Sequence, residues 1–168
     1  STTDELYQII ELQSQNFTES ISFSEKEKEG FVTVKHDIKL LKRMQTKEPH
    51  IMAKYDSKVV GYALSMHPDF EEEIEILKPM FHKIKSLLTG ADSFLVMGQI
   101  CIDKSYRKQG LFKGLYNKMK QEFYYFKFSK SCCEMQGSIS IFILLIHCRE
   151  STGRLKQQFY NFKMSFGC

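Results

Sequence analysis

The chain has 168 residues, 42% of them hydrophobic and 26% charged, enough to bury one sizeable core and too few to build two. The longest wholly apolar run, Ile141 to Ile146, falls far short of the roughly 20 residues of a bilayer span, and the chain does not open with a basic segment followed by an apolar one. No membrane association and no export are therefore expected. The formal net charge of +4 is mild, and the five cysteines (Cys101, Cys132, Cys133, Cys148, Cys168) lack disulfide-framework spacing and zinc-like pairing with histidine, so the expectation is free thiols, a cytoplasmic setting and no metal.

Thr2 and Glu5 have the spacing of a capping box, and Leu6, Ile9 and Ile10 continue at helical period, so the first helix is expected over Asp4 to Asn16. Ser24 precedes a charged run that suits a short capped helix, and Ile38, Leu41 and Met44 predict a second helix within Val34 to Met44. After Pro49 the period changes to two. Ile51, Ala53 and Tyr55 alternate, Asp56-Ser57 supplies a turn, and Val60, Tyr62, Leu64 and Met66 alternate again, which reads as a β-hairpin.

Ile74, Leu77, Phe81, Ile84 and Leu88 form the stripe of a long helix that Pro79 must kink or divide, and Gly90 ends it. The acidic residues Glu71 to Glu75 suit a solvated face, or a patch that attracts amines. Phe94 to Ile102 predicts a central strand with a bulge at Gly98. A loop, Asp103 to Lys108, leads to a helix whose Phe112, Leu115, Tyr116, Met119 and Phe123 share one buried stripe. Farther on, Ile139 to Ile146 suits a buried strand and Arg154 to Phe162 a last helix, giving one mixed α/β or α+β domain.

Strand, basic glycine-bearing turn and helix in succession make an anion site. Helix N-terminal amides, the positive end of the helix dipole and the cations Arg107, Lys108 and Lys113 all favour a phosphate or pyrophosphate there. The turn has neither the GxxxxGK[ST] of a P-loop nor the GxGxxG of a dinucleotide fold.

The run Ile100-Cys101-Ile102-Asp103-Lys104-Ser105-Tyr106-Arg107-Lys108-Gln109-Gly110-Leu111-Phe112 resembles the cofactor signature of the GNAT acetyltransferases, [Q/R]-x-x-G-x-[G/A]. Arg107 and Gly110 match it, and Phe112 stands where a small residue is usual. The early helix, the hairpin with Val59-Val60-Gly61-Tyr62-Ala63 and the next helix follow the family's order, so the resemblance covers roughly residues 2–126. It implies a GNAT-like, mostly antiparallel central sheet flanked by helices, with a central bulged strand leading into the cofactor loop. It implies acetyl-CoA as co-substrate, its pantetheine along Ile100, Cys101 and Ile102, and its pyrophosphate on Arg107, Lys108, Gln109, Gly110, Leu111 and Phe112, with Lys113 close by. The reaction implied is direct attack by an amine, of a small molecule or of a protein or peptide, on the thioester, with Cys101 a strand residue and not a nucleophile.

A proton acceptor is not evident: Gln99 stands near a position where many members carry Glu, and Asp103 and Glu71-Glu72-Glu73 are candidates by charge alone. Tyr160, in a segment similar to the family's terminal FYxxxGF, is the candidate acid for the leaving thiolate. Members usually open with a strand ahead of the first helix, whereas Ser1 already adjoins a helix cap; an exposed sheet edge favouring a homodimer is the expectation. From about Lys127 onward the sequence departs from the family. Two other readings stay open: an acyl-CoA-binding GNAT-fold module without efficient turnover, and a nucleic-acid binder using the basic residues between Lys104 and Lys130 with their interspersed aromatics.

Overall fold

A computed structural model describes residues 2–24, 31–87, 94–123, 126–128 and 146–148. Helix α1 (Thr3–Gln15) opens on a complete capping box: the Thr2 hydroxyl accepts from the Glu5 amide at 3.3 Å, and the Glu5 carboxylate accepts from the Thr2 amide at 2.5 Å. Its Leu6, Ile9 and Leu12 are buried.

Helix α2 (Ile38–Lys47) begins four residues later than Val34, because Asp37 takes an extended conformation and caps it, its carboxylate accepting from the Leu40 amide at 2.8 Å. Residues 34–36 stay outside the helix, and their backbone serves tertiary hydrogen bonds instead.

Strands β1 (Ile51–Tyr55) and β2 (Lys58–Met66) form the expected hairpin. Both turn residues, Asp56 (φ 45°) and Ser57 (φ 67°), are left-handed, which matches the right-handed twist of the flanking strands. The long kinked helix expected next is instead three pieces: 3-10 turns at Pro68–Glu73 and Glu75–Leu77, then helix α3 (Lys78–Leu87). Pro79 is thus the second residue of a helix, where its missing N–H has no intrahelical acceptor to lose.

Strand β3 (Val96–Ile102) pairs antiparallel with β2, completing a sheet of order β1-β2-β3. Leu64 faces Gln99 while Ser65 faces Met97, so Gly98 is the extra residue of a bulge, as its sequence position suggests. A 3-10 turn (Lys104–Tyr106) follows, then helix α4 (Leu111–Glu122). Strands β4 (Phe126–Phe128) and β5 (Ile146–Cys148) pair antiparallel in a sheet of their own. The strand expected over residues 139–146 meets β5 only at Ile146. The rest of that strand, the helix expected over 154–162, Tyr160 and the charged run after Ser24 lie outside the described residues.

The three-stranded sheet divides two apolar clusters. Residues of α1, α2 and α3 pack on one face with Tyr62, Leu64, Met66, Val96 and Cys101, and α4 packs on the other with Ala63, Leu95 and Met97. The architecture is mixed α+β with helices on both faces of an antiparallel sheet. On α4, Leu115, Met119 and Phe123 are buried as the stripe predicts, Tyr116 is partly so, and Phe112 departs from it, with 37% of its surface exposed. Among the described residues no helix is long and apolar enough to cross a membrane.

Candidate functional site

The site is built where β3 ends and α4 begins. The Asp103 carboxylate accepts from the Ser105 amide at 2.9 Å and closes the intervening turn, while the Asp103 amide donates to the Val60 carbonyl at 2.9 Å. Lys108 (φ 62°) and Gly110 (φ 81°) are both left-handed, so the chain reverses twice within three residues before the helix starts. Gly110 is the N-cap and has no side chain with which to cap. The first bond of the helix runs from the Gly114 amide to the Gly110 carbonyl at 3.0 Å, so the preceding first-turn amides have no acceptor within the helix. A Cβ placed on Gly110 would meet nothing within 4 Å, and the same holds for Gly114. The approach to this helix end is open, and the dipole gives it positive sign.

The Asp103 bond fixes how β3 presents its backbone. In an antiparallel ladder residues two apart point their N–H and C=O groups the same way, so Cys101 directs its groups to its partner Tyr62 in β2. Ile100 and Ile102 direct theirs to the opposite edge, which no described strand pairs. Their side chains pack on the α4 face. Of the three residues tied by resemblance to pantetheine, two therefore offer outward backbone groups, and Cys101 is turned inward. The Ile102 carbonyl is already engaged, accepting from Nε of Arg107 at 3.1 Å.

Of the residues tied to the pyrophosphate, Arg107 is half-buried and directs Nη2 to the Asn16 amide oxygen at 2.5 Å. The Gln109 side chain donates to the Ser105 carbonyl at 3.1 Å. Lys108, Gln109, Gly110 and Lys113 are exposed around the helix end, with Leu111 half-buried and Phe112 beside them. An open cleft of about 460 Å³ lies between α1 and the hairpin, but its charged lining is Asp4, Glu11, Asp56 and Asp103 against Lys58 alone, and no residue of the 107–113 stretch lines it. Its charge has the wrong sign for a phosphate.

Behind β3, on the α1 side, sits a buried polar group that sequence patterning does not reveal. The Tyr62 hydroxyl donates to Oε1 of Gln99 at 2.7 Å, and Nε2 of Gln99 donates to the Val34 carbonyl at 2.9 Å. Gln13 accepts from the His36 amide at 3.1 Å, and its Nε2 lies 3.2 Å from Nδ1 of the same residue. Burial pushes the Tyr62 phenol well above its ordinary range and His36 down to about 4. The Cys101 thiol is pushed up to about 11 by burial, with the charge of Arg107 opposing in part, so it is a poor source of thiolate at neutral pH. The one available signal was Gln13, a polar residue on the apolar stripe of α1.

The acidic stretch after Asp69 is engaged in ion pairs. Glu71 pairs with Lys85, Glu72 and Glu75 with Lys78 at 3.0 and 2.7 Å, and Glu73 with Arg43. Each carboxylate is met by a cation in a surface ion-pair network, as suits a solvated face. Gln99, with both amide atoms engaged, has no proton-accepting capacity. Compared with protein-family models, with curated proteins and with solved structures, the chain finds no match in any of the three.

Proposed function

We propose that the chain is an acyl-CoA-dependent N-acyltransferase that carries an acetyl group from acetyl-CoA to a primary amine. The observation that carries this reading is the side-chain-free, left-handed N-cap Gly110, opening α4 at the end of a bulged strand whose outer backbone edge no described strand pairs. The pyrophosphate would meet the first-turn amides of α4, with Lys108 and Lys113 supplying positive charge. The pantetheine amides would pair with the outward groups of Ile100 and the Ile102 N–H. In the transfer the neutral amine nitrogen attacks the thioester carbonyl carbon. The C–N bond forms, the C–S bond breaks, and the proton lost by the amine balances the thiolate as coenzyme A thiol.

A second reading, an acyl-CoA-binding domain with little turnover, is favoured by Gln99, whose amide is buried and engaged where a base would serve the reaction. Titration calorimetry with acetyl-CoA, followed by thiol-release assays over a panel of amines, separates the two. Binding at micromolar affinity is expected, with a loss of more than roughly tenfold, about 1.4 kcal/mol, in Gly110→Asp. That variant places a carboxylate in open space over the helix end, so it repels phosphate while costing the fold only about 1–2 kcal/mol of backbone preference. A folded parent that binds no acetyl-CoA sinks both readings, and binding without turnover selects the second.

A further inference from the structure

Resemblance gives Arg107 to the phosphates, yet two of its hydrogen bonds go to uncharged oxygens of the protein itself. Nε donates to the carbonyl of Ile102, the last residue of β3, at 3.1 Å, and Nη2 to Oδ1 of Asn16 at 2.5 Å. Asn16 is the C-cap of α1, 91 positions away, and is only 2% exposed. Its Nδ2 donates to the Leu12 carbonyl at 2.9 Å, which fixes the amide so that its oxygen faces the guanidinium. The Asn16 carbonyl in turn accepts from the Val32 amide at 2.9 Å, and the Val32 carbonyl accepts from the Thr18 amide at 3.0 Å. Two residues on, the Val34 carbonyl takes the bond from Gln99 of β3. A continuous path of hydrogen bonds therefore runs from the anion loop through Asn16 into the segment that begins at Val32. Swinging Arg107 outward to grip a phosphate would leave the buried Asn16 oxygen without its donor, a cost that a surface arginine does not bear.

We propose that Arg107 is a positioning residue: through Asn16 it holds the anion loop and the 32–36 segment in one fixed relation, so that a disturbance of either is felt by both. For the identity of the ligand the proposal rests on the acyltransferase reading; the coupling itself does not. In acyl transfer such a coupling keeps the thioester, anchored by the loop, in register with the segment packed across Gln99 on the other side of β3.

Amide hydrogen exchange of the unliganded protein tests the coupling, with parent, Asn16→Ala, Asn16→Asp, Arg107→Ala and the double alanine variant. Asn16→Ala removes the contact and leaves every charge in place. Asn16→Asp keeps an acceptor for Arg107 but loses the donor to Leu12, which separates the loop effect from the α1 cap. Expected are rates about tenfold faster in both 104–114 and 32–36 for each alanine variant, parent rates for Asn16→Asp, and no further increase in the double variant. Parent rates in the loop of Asn16→Ala, or faster exchange confined to α1, overturn the proposal. Titration with acetyl-CoA adds an independent arm: Asn16→Ala should weaken binding by roughly tenfold and Asn16→Asp should restore it. Unchanged affinity in Asn16→Ala beside a loss in Arg107→Ala makes Arg107 a direct phosphate ligand and also overturns it. A parent that binds no acetyl-CoA removes the acyltransferase reading, while the exchange rates still decide the coupling.

Discussion

Among the described residues two histidines, His36 and His50, are buried where desolvation disfavours the protonated ring. The His50 ring accepts the Ser65 amide at Nδ1, 3.2 Å away, so the neutral ring carries its proton on Nε2. Among the described residues that buried N–H has no hydrogen-bond acceptor, although the Leu41 carbonyl lies near enough to favour the proton there. Burial pushes His50 down to about 4, and pushes His36 to the same value against the opposing pull of Asp37. In the unfolded chain both return to about 6.5, so between those values the unfolded state binds protons that the fold refuses. The stability is complete above about pH 6.5 and is lost as pH falls toward 4, at up to roughly 1.4 kcal/mol per pH unit for each ring. Glu5 and Asp69, lowered by their hydrogen bonds to Lys54 and Lys47, act in the same direction but only below the ordinary carboxylate range. Urea denaturation should therefore show a midpoint that already falls between about pH 6.5 and 5. His50→Asn, which preserves an acceptor for Ser65, should remove about half of that slope; an unchanged slope would mean that the ring is not held neutral.

Among the elements, the bulge of β3 does most to set the site. It puts Met97 on the α4 face and Gln99 on the α1 face, although residues two apart in a regular strand share a face. The position was legible in the sequence because glycine interrupts an otherwise β-forming run. Its cause lies in space, since a Cβ on Gly98 would stand 3.2 Å from both Cβ and Sδ of Met66. The sulfur can move and the Cβ cannot. Gly98→Ala should cost roughly 1–3 kcal/mol in chemical denaturation, and Met66→Ala should relieve only part of it. A neutral substitution would show that the two strands are not in close contact there. The capping box of α1 was equally legible, being a pattern of four consecutive residues. The start of α2 was not: hydrophobic spacing counts Val34 and Ile38 alike, and only the cap at Asp37 and the claims of Gln13 and Gln99 on residues 34–36 exclude the first turn. Pro79 misled in the opposite sense, since a stripe of apolar residues at helical spacing also suits consecutive 3-10 turns followed by a helix that begins beside the proline.

At the scale of the molecule, what the sequence hides is contact between distant segments: Arg107 with Asn16, Gln99 with Val34, Gln13 with His36. The order of strand, loop and helix could be read, whereas the use of Arg107 inside the protein could not, because a basic residue in a glycine-bearing turn looks the same whether it faces a ligand or a helix cap. The two faces of the sheet are also unequal among the described residues. Three helices share the larger cluster, while α4 is held by Leu115, Met119 and Phe123 against Ile51, Ala63, Leu95 and Met97. A helix held in a cluster of its own can open separately from the rest of the fold. In native-state hydrogen exchange the α4 amides should accordingly exchange through an opening energy of their own, distinct from that of α1. Leu115→Ala, a buried truncation worth roughly 2–5 kcal/mol, should lower the opening of α4 first. The candidate anion site is the N-terminus of this same helix, so a ligand bound there must stabilise it by RT ln(1 + [L]/Kd), about 2.7 kcal/mol at a hundredfold excess over Kd. Acetyl-CoA should raise the protection of α4 up to the global limit and slow α1 only where exchange requires complete unfolding. Equal protection of α1 and α4 without ligand would instead mean that the sheet and both its helix layers unfold as one unit.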